Sequence, residues 1–327
     1  MLRAFLWYNE GTHNAGGRMT VAQAAGKVIL FGEHAVVYGR PAIAVPVTEV
    51  HAQAQVEPGQ VGQGVVLLAP DLGRKVVVRD AAQEDPLANI VRRTLDTLGR
   101  EPDPDVTVTV TSTIPIARGM GSGAAVSTAV VRGLTGYFGR WLSSRSISEL
   151  VYETEILYHG TPSGIDNTVV AFEKPVYFVK GQGWEVFWVG KPLLLAIADT
   201  GIESPTKEVV GDLRQRYEAD PDRYLPLFDG VTEIVHSARK AIESGDMDRL
   251  GELMDANHTL LQEMGVSCPE LDRLVVAARD GGALGAKLSG AGRGGNMIAL
   301  VTEESRGRVD MMLRLAGATQ VLITEVR

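Results

Sequence analysis

Two apolar runs flank a short polar stretch near the start of the chain. The first run begins at Val21 and leads into Gly32-Glu33-His34, and the second follows Pro41 and continues to Val56. Apolar runs of this length, bounded by glycine and proline, predict buried strands joined by a turn. Residues Val106 to Thr113 read VTVTVTST, and their period of two predicts another strand.

Helical spacing recurs along the chain. Apolar residues follow Asp85 and Pro86 at intervals of three and four, which predicts a helix to Leu98 with Asp85 as its cap. Two further helices are predicted at 124–138 and 146–159, the second capped by Ser146 or Ser148. Residues from about 200 to 282 are predicted to be mostly helical, with charged faces.

The remaining segments predict strands, with one closing helix. These segments are a hairpin from Val65 to Arg79, a pair at Val169–Lys180 and Trp184–Val189, a buried strand at Leu193–Asp199, strands at Leu284–Ser289 and Asn296–Val301, a helix near Glu304–Ala316, and a last strand at Val321–Val326. A length of 327 residues favours two domains, and the change in pattern places the boundary near 190. We therefore expect domains at 21–190 and 191–327.

The first residues stand apart from this pattern. The apolar patch from Ala4 to Tyr8 is too short for the core of a signal peptide, and Glu10 follows it. Residues 1–20 are therefore predicted to form a flexible extension, or to result from a start site placed upstream of Met19.

Charge and cysteine content exclude several classes of function. The net charge of −8 argues against a general nucleic-acid binder, which needs a basic face. Cys268 is the one cysteine, so no intrachain disulfide forms and the spacings of zinc sites are absent. No apolar stretch reaches the ~18 residues that a membrane span needs. These features are typical of a cytoplasmic protein without a membrane segment.

A glycine loop lies between a predicted strand and a predicted helix. Gly119, Gly121 and Gly123 let the backbone approach a phosphate, and Ser122 adds a hydroxyl that can bind a phosphate or a metal ion. The same pattern is equally typical of a plain strand-to-helix turn without a ligand. The loop is not a P-loop, because no lysine follows Gly123.

A second glycine loop near the carboxyl end reads SGAGRGGN. Gly290, Gly292 and Gly295 match the dinucleotide fingerprint, but a predicted strand follows them where that fingerprint needs a helix. The loop is therefore interpreted as a link between two strands that brings backbone close to another group.

Two carboxylates flank the end of a predicted helix. Glu155 lies near its end, and Asp166 follows the break at Gly160 to Pro162. One or two carboxylates together with phosphate oxygens are ligands that Mg²⁺ prefers. The alternative is that Glu155 is a solvated helix residue and Asp166 a turn former. Lys27, at a strand start, is by itself most simply a solvated lysine.

Four segments, taken in order, resemble a known family. KVILFGEHAVVYGRPAIA, GMGSGAAVSTA, HGTPSGIDN and KLSGAGRGGN are similar to the signature segments of the GHMP small-molecule kinases. Within that family the first segment most resembles the mevalonate kinases. The resemblance covers residues 21 to 327.

The resemblance implies an α+β fold of two domains. The N-terminal domain would be of the ribosomal-protein S5 type, and the C-terminal domain α+β. The implied reaction is transfer of the γ-phosphate of ATP to the primary (5-) hydroxyl of mevalonate with Mg²⁺. A kinase of the same family acting on another hydroxy acid or sugar, and a non-catalytic nucleotide-binding regulator, stay open as alternatives. Dimers are common in this family, so the resemblance also allows a homodimer.

The resemblance also implies roles for individual residues. Asp166 would orient or deprotonate the hydroxyl, and Lys27 would lie beside it and neutralise developing charge. Glu155 would hold Mg²⁺, with Ser122 nearby. The residues implied to wrap the ATP phosphates are Arg118, Gly119, Met120, Gly121, Ser122, Gly123 and Ala124. Those implied to bind mevalonate are Glu33, His34, Thr206, Ser289, Gly290 and Ala291.

Two positions depart from the family pattern. Gly123 stands where the family loop often carries a second serine, which leaves the metal to Ser122 or to Glu155 and water. Arg293 interrupts a run that is otherwise all glycine. Arg293 would reach a phosphate, reach the mevalonate carboxylate, or point to solvent.

Overall fold

The computed structural model describes residues 19–115, 119–159, 162–204 and 206–327. The predicted extension at 1–20 lies almost wholly outside the described residues. In the part of the chain that is described, no helix is long and apolar enough to cross a membrane.

The first sheet is built around one long strand. Within the described residues it has seven strands: β1 (Thr20–Phe31), β2 (Pro41–Pro58), β3 (Val65–Ala69), β4 (Arg74–Val77), β5 (Val106–Ser112), β6 (Val176–Val179) and β7 (Gly183–Val186). They lie in the order β4-β3-β5-β2-β6-β7, with β1 paired antiparallel to β2. On its other side β2 pairs with β5 through its second half and with β6 through its first.

Four helices accompany this sheet: α1 (Pro86–Thr97), α2 (Ser122–Tyr137), α3 (Ser144–His159) and α4 (Ile165–Phe172). The predicted cap of α1 is confirmed, because the Asp85 carboxylate accepts hydrogen bonds from the backbone N–H groups of Leu87 and Ala88. The central helix α2 packs directly against β1 and β2 and also contacts α1, α3 and α4. Helix α2 therefore forms a layer against the sheet, with its packing fixed by β1 and β2.

The second sheet is antiparallel throughout. Its described strands are β8 (Leu193–Asp199), β9 (Gly285–Ser289), β10 (Asn296–Val301) and β11 (Gln320–Val326), in the order β11-β8-β10-β9. The accompanying helices are α5 (Thr206–Ala219), α6 (Pro221–Ser244), α7 (Met247–Glu263), α8 (Pro269–Asp280) and α9 (Arg306–Leu315).

The two sheets share one continuous apolar core. Strand β11 packs against β2, α6 packs against both β1 and β2, and β9 contacts β1. The last of these contacts brings the turn after β1 next to the glycine loop after β9. Segments that are more than 250 residues apart in the chain therefore face each other.

Two local predictions were wrong. The strand predicted from Val169 is a short helix, α4, with the strand beginning only at Val176. The adjacent valines Val169 and Val170 favour a strand locally, but both are buried in tertiary contacts of the helix. Helix α3 begins at Ser144, so neither Ser146 nor Ser148 is its cap. The side chain of Ser148 instead accepts a hydrogen bond from the Asn167 amide, 2.8 Å away.

Candidate active site

An ion pair between β1 and α4 lies at the centre of the candidate site. Nζ of Lys27 is 3.0 Å from Oδ1 of Asp166. Lys27 is buried, whereas 34% of the Asp166 side chain is exposed. Asp166 lies in the first turn of α4, where the helix dipole stabilises negative charge. The pair thus presents a carboxylate to solvent with a cation fixed behind it.

Glu155 lies on α3 beside this pair and is only 7% exposed. Burial, and then the negative charge of Asp166, raise the pKa of Glu155 to about 7, while Lys27 acts in the opposite direction. A carboxylate in this state is half-protonated near neutral pH. A cation that arrives nearby would favour the ionised form.

The loop before α2 closes over the lysine. The backbone N–H of Lys27 donates to the carbonyl of Met120 at 3.0 Å. Gly121 has a φ of 70°, and a Cβ there would lie 2.9 Å from Cγ of Lys27. Position 121 therefore requires glycine both for its backbone and for space. Ala124 is buried behind the loop, and Arg118 lies outside the described residues.

The N-terminus of α2 lies at the end of this glycine loop. Gly121 is its N-cap and Ser122 its first residue, so the free N–H groups and the dipole of α2 form a site for an anion. Gly119 and Gly123 are exposed on this loop. A Cβ at position 123 would lie 3.0 Å from Oε1 of Glu155, so the glycine there keeps the approach to that carboxylate open.

The donor set of this corner suits magnesium. No group of three or more histidine, cysteine, aspartate or glutamate side chains is placed to hold a metal among the described residues. A site with one or two carboxylates, completed by phosphate oxygens and water, is what Mg²⁺ requires. Glu155, with its raised pKa and with no side chain at Gly123 to crowd its carboxylate, fits that requirement.

The Gly32-Glu33-His34 turn contains two residues with positive φ, Gly32 and His34. Gly32 has a φ of 98°, and a Cβ there would lie 2.4 Å from the Cα of Ala42. His34 has a φ of 61°, which is uncommon for a residue with a side chain. Its Nε2 lies 2.8 Å from the carbonyl of Ala291. Burial lowers the pKa of His34 to about 4, so the neutral ring donates this hydrogen bond.

Glu33 is completely buried. Its Oε1 accepts a hydrogen bond from Nζ of Lys287, whose side chain is also fully buried on β9. The structure therefore brings Glu33 and His34 together with the second glycine loop. Sequence reasoning missed Lys287, although a lysine between the apolar residues Ala286 and Leu288 of a predicted strand is an unusual residue to bury.

The second glycine loop joins β9 to β10, as predicted. Oγ of Ser289 donates to the carbonyl of Ile29 at 2.8 Å, which ties the loop to β1. Gly292 has a φ of 83°, and a Cβ there would lie 1.9 Å from the carbonyl oxygen of Val266. Gly290 has a φ of 94° and open space around it.

The position of the Arg293 side chain accounts for one of the two departures from the family pattern. Its guanidinium pairs with Asp212 on α5, with 2.5 Å between Nη1 and Oδ2. Its backbone N–H donates to the carbonyl of Val266. Of the three expectations for Arg293, none included this pair, which connects the glycine loop to α5.

Thr206 begins α5 and is exposed. Its hydroxyl lies 3.5 Å from the carbonyl of Ser204, and Oγ of Ser204 donates to the carbonyl of Gly292 at 2.7 Å. Thr206 is thus placed next to the second glycine loop through Ser204.

A polar cavity of about 200 Å³ lies at the end of β5. It is lined by His51, Gln53, Asp71, Thr111, Ser112 and Thr113. The backbone N–H of Ser112 donates to the Asp71 carboxylate at 2.8 Å, which holds the wall of the cavity together. The first glycine loop begins a few residues after Thr113, so the cavity and the loop are close in the chain.

Comparisons with known proteins agree on one family. The family model for the GHMP kinases N terminal domain matches residues 88–174, and that for GHMP kinases C terminal matches residues 238–309. The chain is 36% identical to the mevalonate kinase of Pyrococcus furiosus in an alignment of 323 positions, which covers 94% of this chain and 96% of that protein.

Solved structures that resemble this chain also include mevalonate kinases. The crystal structure of L. major mevalonate kinase in complex with R-mevalonate has a TM-score of 0.82 and 30% identity, and the match covers 96% of each chain. The mevalonate kinase of Methanococcus jannaschii has a TM-score of 0.81 and 25% identity, covering 93% of this chain and 96% of that one.

Proposed function

The chain belongs to the GHMP kinase family, and we propose that it transfers the γ-phosphate of ATP to the 5-hydroxyl of mevalonate. The observation that carries the proposal is the Lys27–Asp166 ion pair, which lies beside a glycine loop that opens a helix. A carboxylate, a fixed cation and an anion site are the parts that phosphoryl transfer requires. The relatives named mevalonate kinase, which match almost the whole chain, support mevalonate as the acceptor.

Asp166 and Lys27 act on the acceptor hydroxyl. The hydroxyl oxygen forms a bond to the γ-phosphorus, the bond from that phosphorus to the bridging oxygen of ADP breaks, and the hydroxyl proton passes to Asp166. The ammonium of Lys27, 3.0 Å from Oδ1 of Asp166, orients this carboxylate and stabilises negative charge on the transferring group. Because Lys27 is buried, its charge acts with little screening by solvent.

The phosphates of ATP bind at the loop from Arg118 to Ala124. The N–H groups at the start of α2 donate to phosphate oxygens, and the positive φ of Gly121 turns the backbone toward them. The polar cavity at His51, Asp71 and Ser112 is assigned to the nucleoside end of ATP, because it is lined by polar groups and Thr113 on its wall precedes the same loop by a few residues.

Glu155 and Ser122 would hold Mg²⁺ between them and the ATP phosphates. When bound, Mg²⁺ supplies positive charge that neutralises the phosphate oxygens. The raised pKa of Glu155 supports this role, because a buried carboxylate of this kind gains most when a cation replaces its proton.

Mevalonate binds where the two sheets meet. We assign it to the cleft between the Glu33-His34 turn, the loop from Ser289 to Ala291, and Thr206. This cleft lies where the two proposed domains, 21–190 and 191–327, meet across their shared core. The hydrogen bond from His34 to Ala291 and that from Ser289 to Ile29 support this assignment, because they hold the walls together. Nδ1 of His34, which has no partner among the described residues, is left as an acceptor for a substrate hydroxyl.

The decisive experiment measures ADP release with Mg·ATP and R-mevalonate, and reads the product by phosphorus NMR. We expect mevalonate-dependent ADP and a phosphate ester at the 5-hydroxyl. Phosphate at the 3-hydroxyl, or turnover only with another hydroxy acid or a sugar, would reject the assigned acceptor and keep the family. ATP binding without turnover of any acceptor would identify a regulator.

A further inference from the structure

The ion pair between Lys287 and Glu33 is the most deeply buried charge pair among the described residues. Both side chains are 0% exposed. Ion pairs of this kind contribute little net stability, because desolvation of both charges offsets their attraction. Nζ of Lys287 also donates to the carbonyl of Leu288 at 2.7 Å, which fixes the direction of the ammonium group.

The pair joins the two sheets at the candidate site. Glu33 follows β1, and Lys287 lies in the middle of β9, where its neighbour Ser289 bonds to Ile29 of β1. Lys287 therefore reaches across the junction to a carboxylate six residues after Lys27. Oε1 of Glu33 is held by Lys287, while Oε2 accepts no hydrogen bond from a described residue.

Charges of alternating sign run from this pair through Lys27 to Asp166. Lys27 acts electrostatically on Glu33, and Lys27 is itself paired with Asp166. Asp166 in turn acts on Glu155. A change in the charge of Glu33 would therefore be felt at the Lys27–Asp166 pair.

We propose that Lys287 is a positioning residue, which holds the Glu33 carboxylate ionised and in place where its charge acts on Lys27. The inference rests on the proposed function, since the charge that Lys287 maintains acts on the groups assigned to phosphoryl transfer. Lys287 touches neither substrate nor nucleotide in this role and acts through Glu33.

The electrostatics of the Lys287–Glu33 pair support this role for Lys287. Burial raises the pKa of Glu33, and the charge and hydrogen bond of Lys287 are the strongest influences that lower it again. Without Lys287, burial would be opposed only by a backbone hydrogen bond and by the charge of Lys27, and the carboxyl would take up a proton at a higher pH than it does beside the lysine. If Lys287 were removed and Glu33 became protonated, the negative charge that acts on Lys27 would be lost.

The first test follows the ionisation of Glu33 directly. In protein labelled with ¹³C at glutamate side chains, the Glu33 carboxyl resonance is assigned by its absence in Glu33→Gln. We expect Lys287→Met to raise the midpoint of that titration by at least about one pH unit. An unchanged midpoint would overturn the proposal, and this readout needs no substrate. It therefore separates a failure of this inference from a failure of the proposed function.

The second test uses the pH dependence of kcat/KM for mevalonate at saturating Mg·ATP. Below the new midpoint, Lys287→Met should lose about tenfold in kcat/KM per pH unit and recover as Glu33 ionises at higher pH. A loss that is the same at every pH would mean that Lys287 is only structural, and would overturn the proposal.

The third test is a double-mutant cycle. Its double variant, Glu33→Gln with Lys287→Met, leaves no unpaired buried charge. Its kcat/KM should equal that of Glu33→Gln alone to within about twofold, because Lys287 acts only through the carboxylate. A further loss would overturn the proposal even if Lys287→Met by itself fails to fold.

Asp255→Asn is the matched control, since Asp255 accepts a hydrogen bond from the Ala286 N–H on the same strand away from the cleft. It should lower stability without adding a pH-dependent limb.

Discussion

Acidifying the solution from about pH 8 to about pH 6 should weaken the binding of Mg²⁺ with an ATP analogue about tenfold through Glu155 alone. With a pKa of about 7, Glu155 is roughly nine-tenths ionised at the higher pH and roughly one-tenth ionised at the lower pH. Since only the ionised carboxylate holds a cation, the ratio of these fractions is the expected loss of affinity.

The assay is isothermal titration calorimetry of Mg²⁺ into protein with a non-hydrolysable ATP analogue, in two buffers of different ionisation enthalpy. Proton release on binding should approach about one per site below the pKa and fall toward zero above it. The phosphates of the analogue also titrate in this range, so Glu155→Gln serves as the control. An identical pH dependence in Glu155→Gln and wild type would refute the assignment of the metal to Glu155.

The same pKa predicts the stability of the metal-free protein. The folded pKa of about 7 lies above the ordinary value of 4.5, so the folded chain binds more protons than the unfolded chain between these values. The stabilising contribution of the protonated carboxyl is present at low pH and is lost as the pH rises through about 7. Between about pH 5 and pH 8, wild type should lose about 2.5 kcal/mol relative to Glu155→Gln in urea unfolding. A difference that does not change with pH would contradict the environment of Glu155 described above.

Three further substitutions test other parts of the site. Asp166→Asn should lower kcat by about 10²–10⁴-fold while the analogue still binds, as measured by steady-state kinetics and calorimetry, and near-normal kcat would remove Asp166 from the reaction. Gly121→Ala should destabilise the protein by about 1–2 kcal/mol and lower kcat, because its φ is 70° and its Cβ would press on Lys27; unchanged melting and activity would disprove this geometry. Arg293→Gly should change stability by less than about 1 kcal/mol, because the lost partly exposed pair with Asp212 is offset by relief of the left-handed backbone, and a larger loss on thermal melting would contradict that balance.

Local patterns predicted most of the regular structure. The strands at Leu193–Asp199 and Asn296–Val301 have the predicted bounds, and Asp85 caps the helix that it was expected to cap. These features depend on neighbours within a few residues, so periodicity and capping chemistry suffice to find them. The strand-to-strand link at Gly290 to Gly295 was predicted for the same reason.

Helix α4 was missed because tertiary contacts, and not local patterns, decide its structure. Its two adjacent valines, Val169 and Val170, favour a strand, and the helix is only eight residues long. Such a short helix is stabilised by its tertiary contacts and not by propensity, because helix nucleation is costly. Asp166 was therefore found by motif, but its position in the first turn of a helix was not.

The chain by itself determined most of the strands, the glycine loops and the identity of the charged residues, because these follow from local order and composition. The tertiary structure alone decided which charges meet. Glu33 pairs with Lys287 across 254 positions, and Arg293 pairs with Asp212 across 81. No periodicity connects residues so far apart, and their pairing depends on which edges of the two sheets face each other once a shared apolar core has formed. Burial in that core is also what raises the pKa of Glu155 and lowers that of His34.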